Sequence, residues 1–205
     1  MGSAMDGTNG RLILSICGPS GAGKSQLANA LVGCLGPDLC ARVPTDYYAV
    51  PAIEPLSAYF TQPLRYDWTL LARVLALPEG TAVSTPDFDF ERFQRLHETG
   101  GRPFTIRPVM VLDAMEPYPH SDARILLVGP DHVRRERIAA RDQIWNTHVR
   151  DRWHHLEVTW AHARTLMPAC DLELDGTEPI VENAERLANW LRDRYSTLIC
   201  RRAGD

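Results

Sequence analysis

Short apolar runs alternate along this chain with longer segments whose apolar residues recur every third or fourth position. Leu12-Ile13-Leu14-Ser15-Ile16-Cys17 and Pro108-Val109-Met110-Val111-Leu112-Asp113 have the length and uniformity of strands buried on both faces, as a parallel sheet requires. Ala123-Arg124-Ile125-Leu126-Leu127-Val128 supplies another strand. Cys40-Ala41-Arg42-Val43-Pro44 predicts a shorter second one ending at Thr45-Asp46, and a further short one follows Pro78-Glu79-Gly80. Cys170-Asp171-Leu172-Glu173-Leu174-Asp175-Gly176 reads as a last strand with its turn. Between them lie helical patterns: Gln26 to Leu31, Trp68 to Leu77, an arginine-rich stretch from Asp131, a segment holding His154, His155 and His162, and a closing helix striped by Ile180, Ala184, Leu187 and Leu191. Val50 to Pro63 holds prolines at 51, 55 and 63 and reads as irregular structure able to close over a substrate. Strands alternating with helices predict an α/β protein of three layers, α/β/α, around a central parallel sheet.

Length and charge narrow this picture. The 205 residues suit one domain, expected over residues 11–200, with residues 1–10 as a tag or disordered start. Met1-Gly2-Ser3-Ala4-Met5 lacks the charged and apolar regions of a secretion signal, and no apolar stretch approaches the roughly 18 residues of a membrane span. Cys17, Cys34, Cys40, Cys170 and Cys200 form no Cys-x-x-Cys pair, which points to reduced, structural thiols and a cytoplasmic protein. A net charge of -4 with a pI near 6.0 argues against a nucleic-acid partner and for a small soluble substrate, with a homo-oligomer left open. The histidines do not gather into a metal site.

The chemistry begins at Gly18-Pro19-Ser20-Gly21-Ala22-Gly23-Lys24-Ser25, which satisfies the phosphate-binding pattern Gly-x-x-x-x-Gly-Lys-Ser. Between the first strand and the first helix, such a loop turns backbone N–H groups toward phosphate oxygens; Gly18, Ser20, Gly21, Ala22, Gly23, Lys24, Ser25 and Gln26 are the expected nucleotide contacts. Lys24 would reach the β- and γ-phosphates and the Ser25 hydroxyl would ligate Mg²⁺. Lys24 is the only lysine in the chain, kept where a compact point charge fits between phosphates and a planar guanidinium does not. The same fact speaks against a GTPase, whose Asn-Lys-x-Asp guanine signature needs a second lysine.

Asp46, at a strand's C-terminal edge one strand away from the loop, is placed either to take a proton from an attacking hydroxyl or to cap the following turn. Asp113 ends a buried strand, where a carboxylate holds Mg²⁺ directly or through water, or else caps a turn. Arg134, Arg137 and Arg141 recur at spacings of three and four within a run that continues to Arg150-Asp151-Arg152. Such a run is ordinarily a solvated helix face; over a phosphate site it becomes a lid, about residues 134–155, whose guanidinium groups offset transition-state charge and exclude water. Tyr66, Trp68, Phe88, Phe90 and Phe93 could wall a pocket for a flat ring or form plain core.

From about Arg11 to Leu191 the chain resembles the uridine kinase and phosphoribulokinase group of phosphate-loop kinases. Thr45-Asp46-Tyr47-Tyr48 is similar to that group's Asp-x-Phe/Tyr-Tyr segment, Phe88-Asp89-Phe90 with Arg95 to its Tyr-Asp-Phe-x-x-His-x-Arg substrate segment, and Asp131, Arg134, Arg137 and Arg141-Asp142 to its lid. Val111-Leu112-Asp113-Ala114 stands where the group has a strand ending in Glu-Gly. The resemblance implies ATP and Mg²⁺ as donor and metal, Asp46 as general base, and Tyr48, Tyr66, Trp68, Phe88, Phe93 and Arg95 around the acceptor. Phe93 replaces the group's nucleoside-binding histidine and Phe88 its tyrosine. Tyr66-Asp67-Trp68 is followed by Thr69-Leu70-Leu71 in place of Asp-His-Pro, which favours a more apolar acceptor than uridine. The expected activity is transfer of the γ-phosphoryl of ATP to a hydroxyl of a nucleoside-like or other small metabolite. A kinase of a specialised metabolite or antibiotic and a non-catalytic ATP-binding switch are the alternatives.

Overall fold

The computed structural model describes residues 10–52, 55–145, 147–167 and 169–199. Residues 1–9 and Cys200, on which two of the sequence expectations fall, lie outside the described residues. In chain order the elements are β1 (Leu12–Cys17), α1 (Lys24–Leu35), β2 (Cys40–Val43), a 3-10 turn (Thr45–Tyr48), α2 (Leu56–Tyr59) and α3 (Trp68–Leu75). Four short strands follow, β3 (Ala82–Ser84), β4 (Asp87–Asp89), β5 (Gln94–His97) and β6 (Pro103–Thr105), then β7 (Val109–Asp113) and β8 (Ala123–Val128). α4 (Asp131–Trp145), a second 3-10 turn (Val149–Arg152), α5 (Trp153–Leu166), β9 (Leu172–Asp175), α6 (Ile180–Arg194) and α7 (Ser196–Ile199) complete the chain.

The central sheet is parallel with strand order β2-β7-β1-β8-β9, and β1 is its hinge of connectivity. The chain leaves β1 toward β2 on one side, returns by β7, and then crosses to β8 and β9 on the other. Ligands of open parallel sheets bind at the carboxyl ends of strands around such a reversal. All six residues of β1 and all five of β7 are buried, because helices cover both faces.

Alternation sorts the two cores. Leu12, Leu14 and Ile16 face one way with Val109, Val111 and Cys40, against Leu27, Ala28 and Leu31 of α1 and Ala184, Leu187 and Leu191 of α6. Ile13, Met110, Leu112 and Val43 face the other way, against Leu71 and Leu75 of α3. The three-layer reading of the sequence therefore holds. Residues 82–105 form two antiparallel hairpin-like pairs, β3 with β6 and β4 with β5, whose short strands the hydrophobic pattern only partly foretold. A third cluster, built from Ala49, Tyr59, Phe88 and Phe93, holds that insert down. Among the described residues no helix is long and apolar enough to cross a membrane.

Candidate active site

The phosphate-binding pattern occupies the reversal at the end of β1. Gly18 and Gly21 have positive φ, and a side chain at either would strike backbone: the Leu127 carbonyl at 2.1 Å from a Cβ on Gly18, the Arg134 carbonyl at 2.6 Å from one on Gly21. Close packing between loop, β8 and α4 thus selects glycine as strongly as the turn does. At the start of α1 the N–H groups of Lys24, Ser25 and Gln26 have no backbone carbonyl partner among the described residues, the first such bond being Leu27 N–H to the Gly23 carbonyl at 2.9 Å. These unpaired donors, with the positive end of the helix dipole and no acidic residue in the first turn, make an anion site. Lys24 Nζ donates to the Pro19 carbonyl at 2.9 Å. Burial lowers its pKa, while Asp46 and Asp113 act the other way.

Asp113 closes β7 on the α1 side of the sheet and is 3 % exposed. The Ser25 hydroxyl donates to its Oδ2 at 2.5 Å. Arg42 grips both oxygens, Nε to Oδ1 at 3.0 Å and Nη2 to Oδ2 at 2.9 Å. Hydroxyl and carboxylate are the hard oxygen donors that Mg²⁺ takes, and among the described residues no cluster of three His, Cys, Asp or Glu could hold a metal alone. Ser25 and Asp113 thus present the donor chemistry that a Mg²⁺ would take.

Asp46 lies in the 3-10 turn after β2 and is exposed. Even so, the surrounding protein raises its pKa by desolvation and Asp113 raises it further, against Lys24, Arg42 and Arg141. The Tyr66 hydroxyl donates to Asp46 Oδ1 at 3.4 Å and accepts from Met115 N–H at 3.3 Å. Burial pushes the Tyr66 phenol well above its ordinary range, so it stays a donor. Its ring stacks on Trp68 at 4.7 Å, and Trp68 in turn meets Tyr118 edge-on at 5.6 Å. Trp68 also hydrogen-bonds Glu116, a half-buried carboxyl whose pKa burial raises.

The three lid arginines part company along α4. Arg134 is 2 % exposed and spends its guanidinium on the Ser20 carbonyl at 3.2 Å, Asp131 at 2.7 Å and Glu157 at 3.0 Å, lying 4.8 Å from the Trp153 ring centre. The expectation that it presents a free guanidinium to a phosphoryl is thereby corrected: it ties the phosphate loop to α4 and α5. Arg137 donates to the Ala22 carbonyl at 3.2 Å, also on the loop. Arg141 has no hydrogen bond or ion pair among the described residues, and its charge is felt at both Lys24 and Asp46. The Arg150-Asp151-Arg152 stretch forms the second 3-10 turn; Arg152 donates to the carbonyls of Phe90 at 2.7 Å and Glu91 at 3.3 Å.

At the other end of the cleft, Tyr48 is 0 % exposed within the α3-side core, so its assignment to the substrate is corrected. Its hydroxyl has no hydrogen-bond partner among the described residues. Phe88 and Phe93 are buried, packing edge to face at 5.6 Å, and Phe93 also meets Tyr59 at 5.2 Å. They serve as core beneath the insert, the plainer of the two readings. Arg95 is held by Asp67 at 3.2 Å and Glu98 at 3.4 Å, while Asp67 also caps α3 by accepting from Leu70 N–H at 2.9 Å. Tyr66, Trp68 and Asp46 come together; Tyr48, Phe88 and Phe93 do not join them. Arg42 and Glu116 were missed. Arg42 was legible only once β2 and β7 were known to be neighbours, and Glu116, three residues past Asp113, carried no pattern at all.

On the far side of β1 from Asp46, an open groove of about 570 Å³ is lined by Val128, Gly129, Pro130, Leu174, Asp175 and Arg186. The turn after β9 closes on the loop there, with a Cβ at Gly176 only 2.7 Å from the Ala22 carbonyl.

Comparison with solved structures bears on the fold. A protein of Silicibacter sp. TM1040, provisionally described as a fructose transport system kinase, is similar at 20% identity and TM-score 0.57, over 85% of this chain and 93% of that one. A sugar kinase from Janibacter sp. HTCC2649 aligns at 16% identity and TM-score 0.46, over 88% of this chain and 94% of its own. No protein-family model matches the chain, and no curated protein matches it in sequence. The first likeness is one of fold, an α/β architecture with a central parallel five-stranded sheet flanked by helices, and it does not single out the uridine kinase and phosphoribulokinase group.

Proposed function

We propose that this protein is a kinase that transfers the γ-phosphoryl of ATP to a hydroxyl of a small metabolite. The observation that carries the reading is Asp46, exposed and of raised pKa, within electrostatic reach of Lys24, Asp113 and Arg141 at the mouth of a phosphate-binding loop. In this reading the loop amides and Lys24 hold the phosphates, and Arg141 faces the charge that spreads over the transferring group. Asp46, oriented by the Tyr66 hydroxyl, accepts the acceptor's proton, and its raised pKa makes it the stronger base. Ser25 and Asp113 would hold Mg²⁺, which would supply neutralisation of the phosphate charge. The groove beside β8 and β9 has room for the base end of the nucleotide.

For the acceptor, the half-buried Trp68 and Glu116, backed by the buried Tyr66 ring, offer an aromatic face with one carboxylate. That combination suits a polyol or sugar ring whose apolar face lies on an aromatic side chain while a hydroxyl bonds the acid, and the description of the Silicibacter neighbour agrees with a sugar. Nucleosides remain in the panel because of the resemblance in the 45–48 and 88–95 segments. The test is mass-spectrometric detection of phosphorylated product after incubation with Mg-ATP and a panel of hexoses, pentoses, nucleosides, pantothenate and hydroxylated natural products. A product from wild type supports the kinase and names its acceptor. ATP hydrolysis at one slow rate, indifferent to every compound, would favour the switch.

A further inference from the structure

Arg42 is a strong cation at this cleft that the kinase reading does not use. On β2 it stands opposite Val111 of β7, and Asp113 lies two residues further along β7 on the same face. The register therefore carries the guanidinium forward onto the carboxylate, where Nε and Nη2 each meet one oxygen at 3.0 and 2.9 Å. This fork leaves Arg42 26% and Asp113 3% exposed. Nη1 turns toward Asn29 Oδ1 of α1 at 3.5 Å, so strand and helix both steady the arginine. Ser25 takes Asp113 Oδ2 as well, at 2.5 Å. Both carboxylate oxygens are thus engaged by protein donors.

Asp46 feels the charge of Asp113, and with the Ser25 hydroxyl between the loop and β7 these are the oxygen donors a divalent ion would seek. Lys24 lies within electrostatic reach of both carboxylates, but Arg42 is the cation that bonds Asp113 directly, so it is the charge a metal ion must compete with at that carboxylate. We propose that Arg42 is a positioning residue that makes the metal site conditional on the nucleotide: it neutralises Asp113 and holds it against Ser25, so that a divalent ion binds only when phosphate oxygens arrive with it. This rests on the kinase reading of the phosphate loop. A lysine in the same place would supply the charge without the two-point grip that fixes the carboxylate plane.

The probe is Mn²⁺, followed by electron paramagnetic resonance with and without ADP, on wild type, Arg42→Met, Arg42→Lys and the double variant Arg42→Met with Asp113→Asn. Wild type takes Mn²⁺ tightly only with ADP. Arg42→Met gains Mn²⁺ affinity without nucleotide by at least about tenfold, since a full positive charge has been lifted from beside the ligand. Arg42→Lys gains less, and the double variant loses the gain. No gain in either single variant overturns the proposal, as does a gain that survives Asp113→Asn. If wild type takes MnADP normally while the variants show no gain, only the role of Arg42 falls. A wild type that takes no Mn²⁺ even with ADP removes the kinase reading and the coupling together. Arg42→Lys substitutes one cation for another, so it reports even if the methionine variant folds poorly.

Discussion

The two ends of the cleft are built on different plans. At the phosphate end nearly everything is backbone or immediately attached to it: Gly18 and Gly21 in positive φ, the free amides opening α1, and Lys24 and Ser25 in its first turn. At the acceptor end the parts come from far apart in sequence. Tyr66 bonds Asp46 and Met115, and Leu64 N–H reaches Thr159 of α5 at 3.0 Å. Arg152 lies 4.8 Å from the centre of the Phe60 ring. A backbone site is specified by a short run of residues and tolerates little change, whereas a side-chain site is specified by packing and can be re-cut for another acceptor.

The comparison can be broken most severely at the phosphate end. Lys24→Ala should lower phosphoryl transfer by roughly a thousandfold or more while leaving the circular dichroism spectrum unchanged, because the change removes a transition-state charge and no core contact. Next comes a contrast inside α4. Arg134→Ala empties a buried site and cuts the tie from the Ser20 carbonyl to α4 and α5, and should cost about 2–3 kcal/mol in urea denaturation. Arg141→Ala should stay within about 0.5 kcal/mol of wild type in the same assay yet lower kcat by roughly a hundredfold. Equal effects of the two on stability would erase the distinction drawn between loop tie and lid charge.

The pH dependence sharpens the account at Asp46. Because its pKa is raised in the folded protein, the acid limb of kcat/KM should lie above the ordinary carboxylate range, with activity falling as pH drops through it. The same shift destabilises the ionised folded state. Asp46→Asn should therefore raise the thermal midpoint at neutral pH, and the difference should vanish below about pH 4, where the acid is protonated folded or unfolded. The smallest expected effect is at the acceptor end. Arg152→Ala removes a cation over the Phe60 and Phe93 rings of the insert's core and should cost about 1 kcal/mol in urea denaturation.

How much of this the sequence disclosed follows the same division. The loop, α1 and the buried strands were readable, because motif spacing and uniform apolar runs are local properties. Asp46 and Asp113 were readable by their places at strand ends. Arg134 was not: its spacing matched a lid pattern equally well whether its partner was a phosphoryl or the Ser20 carbonyl, and only the close approach of Gly21 to the α4 backbone decides that. Tyr48 sat in a family-like segment, but the 3-10 turn at Thr45–Tyr48 points it into the core beside Leu71. The four short strands of the insert carried too few residues each for a period to register.

The central claim is that Asp46 takes a proton during transfer of phosphate from ATP to a hydroxyl. The direct measurement is to follow ADP and phosphorylated acceptor together, in wild type and Asp46→Asn, at saturating Mg-ATP with the acceptor that the panel identifies. The account predicts one phosphorylated acceptor for each ADP in wild type, and in Asp46→Asn unchanged ATP affinity with turnover lower by roughly a hundredfold or more. Wild-type turnover in Asp46→Asn, or ADP formed at the same rate without any acceptor, would contradict it.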